Sequence, residues 1–137
     1  RAGAHELIDL TKVKSAGKAL KEAVGGADVV LDFSGRYENV EEALRAMKEG
    51  GRIVLVGLGR GRLELGMPSS LIFKQVSIRG SYGSDRKALP ELIALVEAGK
   101  LDLSGSISGH LPLEDANKAL HDLENRNGNP IRLILTP

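Results

Sequence analysis

The chain has 137 residues, with 19 Lys and Arg against 18 Asp and Glu, a net charge of +1 and no cysteine. This balance, without any run of like charges, argues against a nucleic-acid or membrane-surface protein; an ordinary solvated surface accounts for it. The missing cysteines exclude disulfides, thiolate nucleophiles and every cysteine-based zinc site.

At this length one domain with a real core is expected. No apolar run approaches the roughly 18 to 20 residues of a membrane span, and no signal-peptide h-region opens the chain, so a soluble, cytoplasmic protein is expected. The first residues, RAGAHELIDL, have no Met and run directly into a β-prone stretch, as in the middle of a longer protein.

In chain order, residues 5–10 read as a strand. Thr11 follows as N-cap of a helix over 12–24, whose apolar positions Val13, Ala16, Leu20, Ala23 and Val24 keep helical spacing until Gly25 and Gly26 end it. Residues 27–35 and 51–59 repeat one pattern, a short apolar run that stops at a Gly-containing turn. Runs without polar alternation suit parallel strands buried on both faces. Between them Val40, Ala43, Leu44 and Met47 fall at i, i+3, i+4 and i+7, an amphipathic helix closed by Gly50 and Gly51. The unit is strand, helix, strand, and in open sheets of this kind ligands bind beyond the carboxyl ends of the strands, here at 33–36 and 57–62.

A turn-rich loop with one short helix near 71–73 leads to a fourth strand over 76–81. A helix starting near Leu89 then carries Leu92, Ile93 and Val96 on one face, with Gly99 and Lys100 at its end. Residues 104–110 are polar and Gly-rich, Leu113, Ala116, Leu120 and Leu123 mark another amphipathic helix, and 131–136 form a β-prone run expected outside the main sheet.

The GLGRG turn at 57–61 looks like a phosphate loop but lacks the third glycine and the immediate helix of a dinucleotide fingerprint. A glycine-permitted turn that lets a ligand lie close to the backbone suits it better. Asp32 closes a strand with Ser34 two residues on; without a His or metal partner, bonding to nearby backbone amides is its expected role, not base or nucleophile. His5, His110 and His121 lie too far apart in sequence for a metal-site spacing and read as surface or structural residues.

Six segments in order, GADVVLDFSG, ALRAMKEGGRIVLVGL, IRGSYGS, ELIALVEAGKL, LEDANKALHDLE and IRLILTP, resemble the C-terminal part of the medium-chain, zinc-type alcohol dehydrogenases. The resemblance covers essentially the whole chain and implies a partial Rossmann-like, doubly wound parallel sheet. Residues 1–100 would belong to the NAD(P)-binding domain, and 101–137 to a segment that returns to the catalytic domain. It implies NAD or NADP as coenzyme, with Phe33, Ser34, Gly35 and Arg36 against the adenosine end and Val56, Gly57 and Leu58 along the ribose and nicotinamide. Ser81 and Tyr82 would hold the carboxamide, in a loop one residue short of the family's, and Arg132 would reach the pyrophosphate, since a guanidinium fork suits phosphate oxygens. A surface ion pair is the plain alternative for Arg132.

The family's G-x-G-x-x-G turn, its coenzyme-selecting acid, its zinc ligands and its proton relay would all lie upstream of residue 1. The resemblance therefore implies hydride transfer from a small alcohol in the longer protein, with zinc in its catalytic domain, no catalytic residue or metal in these 137 residues, and homo-oligomerisation or association with the N-terminal half. A non-catalytic nucleotide-binding or oligomerisation module is the competing reading. In the family's strand order, residues 5–10 would be separated from the next strand of this chain by two vacant positions, roughly 14 Å.

Overall fold

The computed structural model describes residues 3–137, which divide into two compact units, one over Ala4–Gly83 and one built on Ser84–Pro137. The first contains α1 (Ala16–Val24), β1 (Ala27–Asp32), α2 (Tyr37–Ala46), β2 (Met47–Leu55), α3 (Ser69–Lys74) and β3 (Ser77–Gly80). Its strands form a parallel three-stranded sheet in the order β1-β2-β3, as expected for half of a doubly wound sheet. The register pairs Val30 with Ile53 and Ile53 with Ile78. Val40 and Leu44 of α2 close over this row, and with Met47 and Ile53 they make the buried core. Ile53 is 0% exposed.

Three expectations about this unit are corrected. Residues 5–10 form no strand, because a strand exists only through a ladder of hydrogen bonds to a neighbour, and β1 pairs with β2 alone among the described residues. The first helix begins at Ala16, capped by Ser15, whose hydroxyl accepts from the Lys18 amide at 3.2 Å. Thr11 instead donates through its amide and hydroxyl to Asp9, at 3.0 and 2.6 Å. The helix α2 stops at Ala46, and Gly50 and Gly51 lie within β2, in a bulge where the register jumps from Ala27↔Met47 to Val29↔Arg52. Gly50 there takes φ +70°, a conformation open to glycine.

The strands are not buried on both faces. Opposite the α2 side, Val29, Leu31, Arg52, Val54 and Arg79 line an open, shallow groove, with Val29 and Leu31 about half exposed. The apolar character of β1 thus reports a surface that nothing in this unit covers.

The second unit holds α4 (Ala88–Glu97), β4 (Gly109–Pro112), α5 (Ala116–Glu124) and β5 (Leu133–Thr136), with single 3₁₀ turns at Ser104–Ser106 and Leu113–Asp115. β4 and β5 pair in parallel as a separate sheet, so the closing strand does lie outside the main one. The four residues of β4, GHLP, carry no periodic signal of their own. α4 buries none of its residues. No helix among the described residues is long and apolar enough to cross a membrane.

Candidate functional site

The turns after β1 and β2 meet, and Asp32 joins them. Its side chain, at the last position of β1, is 7% exposed and turned inward. One carboxylate oxygen, Oδ1, accepts from the Ser34 amide at 3.1 Å and the Ser34 hydroxyl at 2.6 Å; the other, Oδ2, accepts from the Gly35 amide at 3.2 Å. Burying a carboxylate is costly unless its lone pairs are used, and here they are. The Ser34 oxygen in turn accepts from the Arg36 amide at 3.1 Å and from Asn39 Nδ2 at 3.4 Å. With its proton given to Asp32 and its lone pairs occupied, the hydroxyl holds the turn's shape, which agrees with the local role expected for Asp32.

The Asp32 main-chain oxygen accepts from the amides of both Val56 and Gly57 at 2.9 Å, so β2's ladder to β1 is extended by one residue and then closed. Three glycines let the turns approach at backbone distance. A Cβ on Gly57 would stand 2.3 Å from the Gly35 nitrogen, one on Gly59 1.9 Å from the Gly35 oxygen, and one on Gly35 2.8 Å from the Leu58 carbonyl. The neighbour that these glycines admit within the structure is the other turn. Tyr37, at the first turn of α2, seals the joint. Its hydroxyl accepts from the Gly59 amide at 3.3 Å and lies 3.5 Å from the Gly59 oxygen as donor. No local pattern marks Tyr37, because its partner is 22 residues away in the chain.

At the third strand the Ser81 amide donates to the Leu55 oxygen at 2.8 Å, which sets Ser81 and Tyr82 just beyond the end of β3. Thus the residues expected at 33–36, 56–58 and 81–82 follow the carboxyl ends of three neighbouring parallel strands. Phe33, Leu58 and Tyr82 stand 70%, 86% and 92% exposed there. Such exposure of large apolar side chains at strand ends is what a planar ligand would cover.

Arg132 belongs to the other unit. Its Nη1 donates to Ser106 Oγ at 3.3 Å, and Ser106 donates to the Leu103 oxygen at 2.7 Å, so the hydroxyl is oriented toward the guanidinium. Arg132 makes no ion pair among the described residues. Ser106 sits in the polar, Gly-rich stretch at 104–110, and its partner is 26 residues on.

The ionisable groups with displaced pKa values are structural. Glu42 is held below the ordinary glutamate range by the Ser15 hydroxyl, with help from the Gly17 amide and Arg45 and against its desolvation, at the joint of α1 and α2. Asp122 is lowered by Asn127 and Lys118 at the end of α5. The described residues contain no group of three or more His, Asp or Glu that could hold a metal ion.

Residues 1–98 match the family of zinc-binding dehydrogenases. The chain is 30% identical over 113 residues to a probable zinc-binding alcohol dehydrogenase of Mycobacterium tuberculosis, covering 82% of this chain and 29% of that protein. It is 32% identical over 105 residues to D-xylulose reductase A of Aspergillus oryzae, covering 75% and 28%. Among solved structures, an NAD-dependent alcohol dehydrogenase superposes with a TM-score of 0.78 at 29% identity, over 98% of this chain and 38% of that one. The chain therefore spans less than a third of the length of these two relatives.

Proposed function

Because the chain belongs to the family of zinc-binding dehydrogenases, we propose that it forms the coenzyme-binding turns of an NAD(P)-dependent alcohol dehydrogenase. The observation that carries this reading is the row of exposed residues Phe33, Leu58 and Tyr82 beyond the carboxyl ends of three adjacent parallel strands. Phe33, Ser34, Gly35 and Arg36 would face the adenosine end, and Val56, Gly57 and Leu58 the ribose and nicotinamide. Ser81 and Tyr82 offer main-chain groups to the carboxamide, and Arg132 offers its fork to the pyrophosphate. When bound, the nicotinamide accepts hydride from a small alcohol or returns it to an aldehyde. The part of this chain is to bind and orient it: the apolar side chains exclude water, and the interlocked turns hold one shape.

Zinc does not fit the residues present, which lack cysteine and any cluster of three donors among those described. In this reading its ligands, and the substrate site, belong to a catalytic domain to which residues 101–137 return, while residues 1–100 stay with the coenzyme domain. The exposed edge of β3 serves contact between copies, and the protein is cytoplasmic.

Titration with NADH and NADPH tests the reading, in this chain and in the dehydrogenase that carries it. In the latter Arg132→Ala weakens coenzyme binding by about 1.5–3 kcal/mol, the scale of a hydrogen bond to a charged group. Unchanged affinity with the fold intact would remove Arg132 from the site.

A further inference from the structure

The geometry points to Asp32 as the positioning residue that locks the adenosine-side turn to the nicotinamide-side turn, so that the two halves of the coenzyme meet a single rigid surface. The inference rests on the function proposed above for residues 33–36 and 56–58. Asp32 touches neither half in that reading; it acts through the backbone. Its carboxylate fixes the Ser34 and Gly35 amides, while its own carbonyl fixes those of Val56 and Gly57. The turns also lie against each other without side chains between them, Gly35 against Leu58 and Gly59, and Gly57 against Phe33 and Gly35. A displacement of the 34–35 peptide is thereby passed to 57–59 by contact between backbones, which have no rotamers with which to absorb it.

The choice of side chain matters. Asparagine at 32 keeps one acceptor for Ser34 but sets an amide donor against the Gly35 N–H, and alanine removes all three side-chain bonds while leaving the carbonyl bonds to Val56 and Gly57 in place. An effect of Asp32→Ala at Val56 and Gly57 therefore measures coupling, not the loss of a bond made there. Ser34→Ala removes the hydroxyl that serves Arg36 and Asn39 but leaves the Asp32 bonds to both amides. It loosens the first turn alone.

Amide hydrogen exchange of the 137-residue chain, followed by NMR, tests this directly. In Asp32→Ala, exchange at Ser34, Gly35, Val56 and Gly57 rises together by about tenfold or more, whereas in Ser34→Ala the Val56 and Gly57 amides keep their wild-type rates. If Asp32→Ala does not fold, Asp32→Asn gives the same four-residue pattern. Acceleration confined to 34–35 in both Asp32 variants would overturn the coupling. Titrations with AMP and with nicotinamide mononucleotide then separate coupling from function. Loss of affinity for both halves in the Asp32 variants, against loss for AMP alone in Phe33→Ala, is the expected result. Loss confined to one half in the Asp32 variants would also overturn the coupling. Failure of the wild-type chain to bind either half would count against the proposed function, leaving the exchange result to decide the role of Asp32.

Discussion

Gly57 faces the backbone of Gly35 so closely that a single added carbon would lie 2.3 Å from the Gly35 nitrogen. The contact joins the ends of two parallel strands whose turns are the candidate coenzyme surface. Neither turn can move far outward, because the Asp32 carboxylate holds the Ser34 and Gly35 amides while its carbonyl holds those of Val56 and Gly57.

Gly57→Ala should therefore destabilise the chain by about 1–3 kcal/mol, the usual cost of overpacking a site that cannot relax. Gly61→Ala is the control, since its nearest foreign atom is Tyr37 Cδ2 at an ordinary 3.6 Å, and its effect should stay within about 0.5 kcal/mol. Denaturant titration monitored by circular dichroism compares the two. Equal effects would mean that the turns separate readily.

The Glu42 carboxylate, lowered first by the Ser15 hydroxyl, makes the α1–α2 joint sensitive to acid. Its folded-state pKa lies below the unfolded value, so its contribution is present above about pH 4.3 and is lost as pH falls through the folded value. The stability gap between wild type and Glu42→Gln should be open near neutral pH and close on acidification. A gap unchanged from neutral to acid would show that the carboxylate charge contributes nothing there.

Ile53, wholly buried between α2 and the neighbouring strands, should cost about 2–5 kcal/mol when cut to alanine. Val29, on the open face of β1, should cost under about 1 kcal/mol in a dilute monomer. A larger cost at Val29 that grows with protein concentration would reveal a second copy covering that face.

Among the described residues β1 has one unpaired edge and a half-exposed apolar face, a combination that invites pairing with another chain. Size-exclusion chromatography with light scattering at micromolar concentration should find the 137-residue chain associated. A compact, cooperatively unfolding monomer would show that the edge and face are tolerated in water.

The chain by itself should oxidise no alcohol in a metal-dependent way and hold no stoichiometric zinc, because its described residues supply no donor cluster. Metal analysis and an NAD(P) reduction assay across several alcohols check this. Turnover above background that follows zinc loading would require ligands the side-chain arrangement does not offer.

Local chemistry determined much of this protein in advance. The helical spacing of Val40, Ala43 and Leu44, the glycine stop at Gly25, the strands at 27–32 and 52–55 and the inward bonding of Asp32 all follow from interactions within a few residues, which is where periodicity and turn preferences act. The ordered segments also carried the family resemblance. What only the tertiary structure decided involves residues far apart in the chain: whether 5–10 finds a partner strand, why Gly35, Gly57 and Gly59 must be glycine, and what Tyr37 and Ser106 hold. A ladder needs a second strand and a forbidden Cβ needs a second backbone. A lone sequence segment contains neither, so its glycines read equally well as room for a ligand and as room for a neighbouring turn.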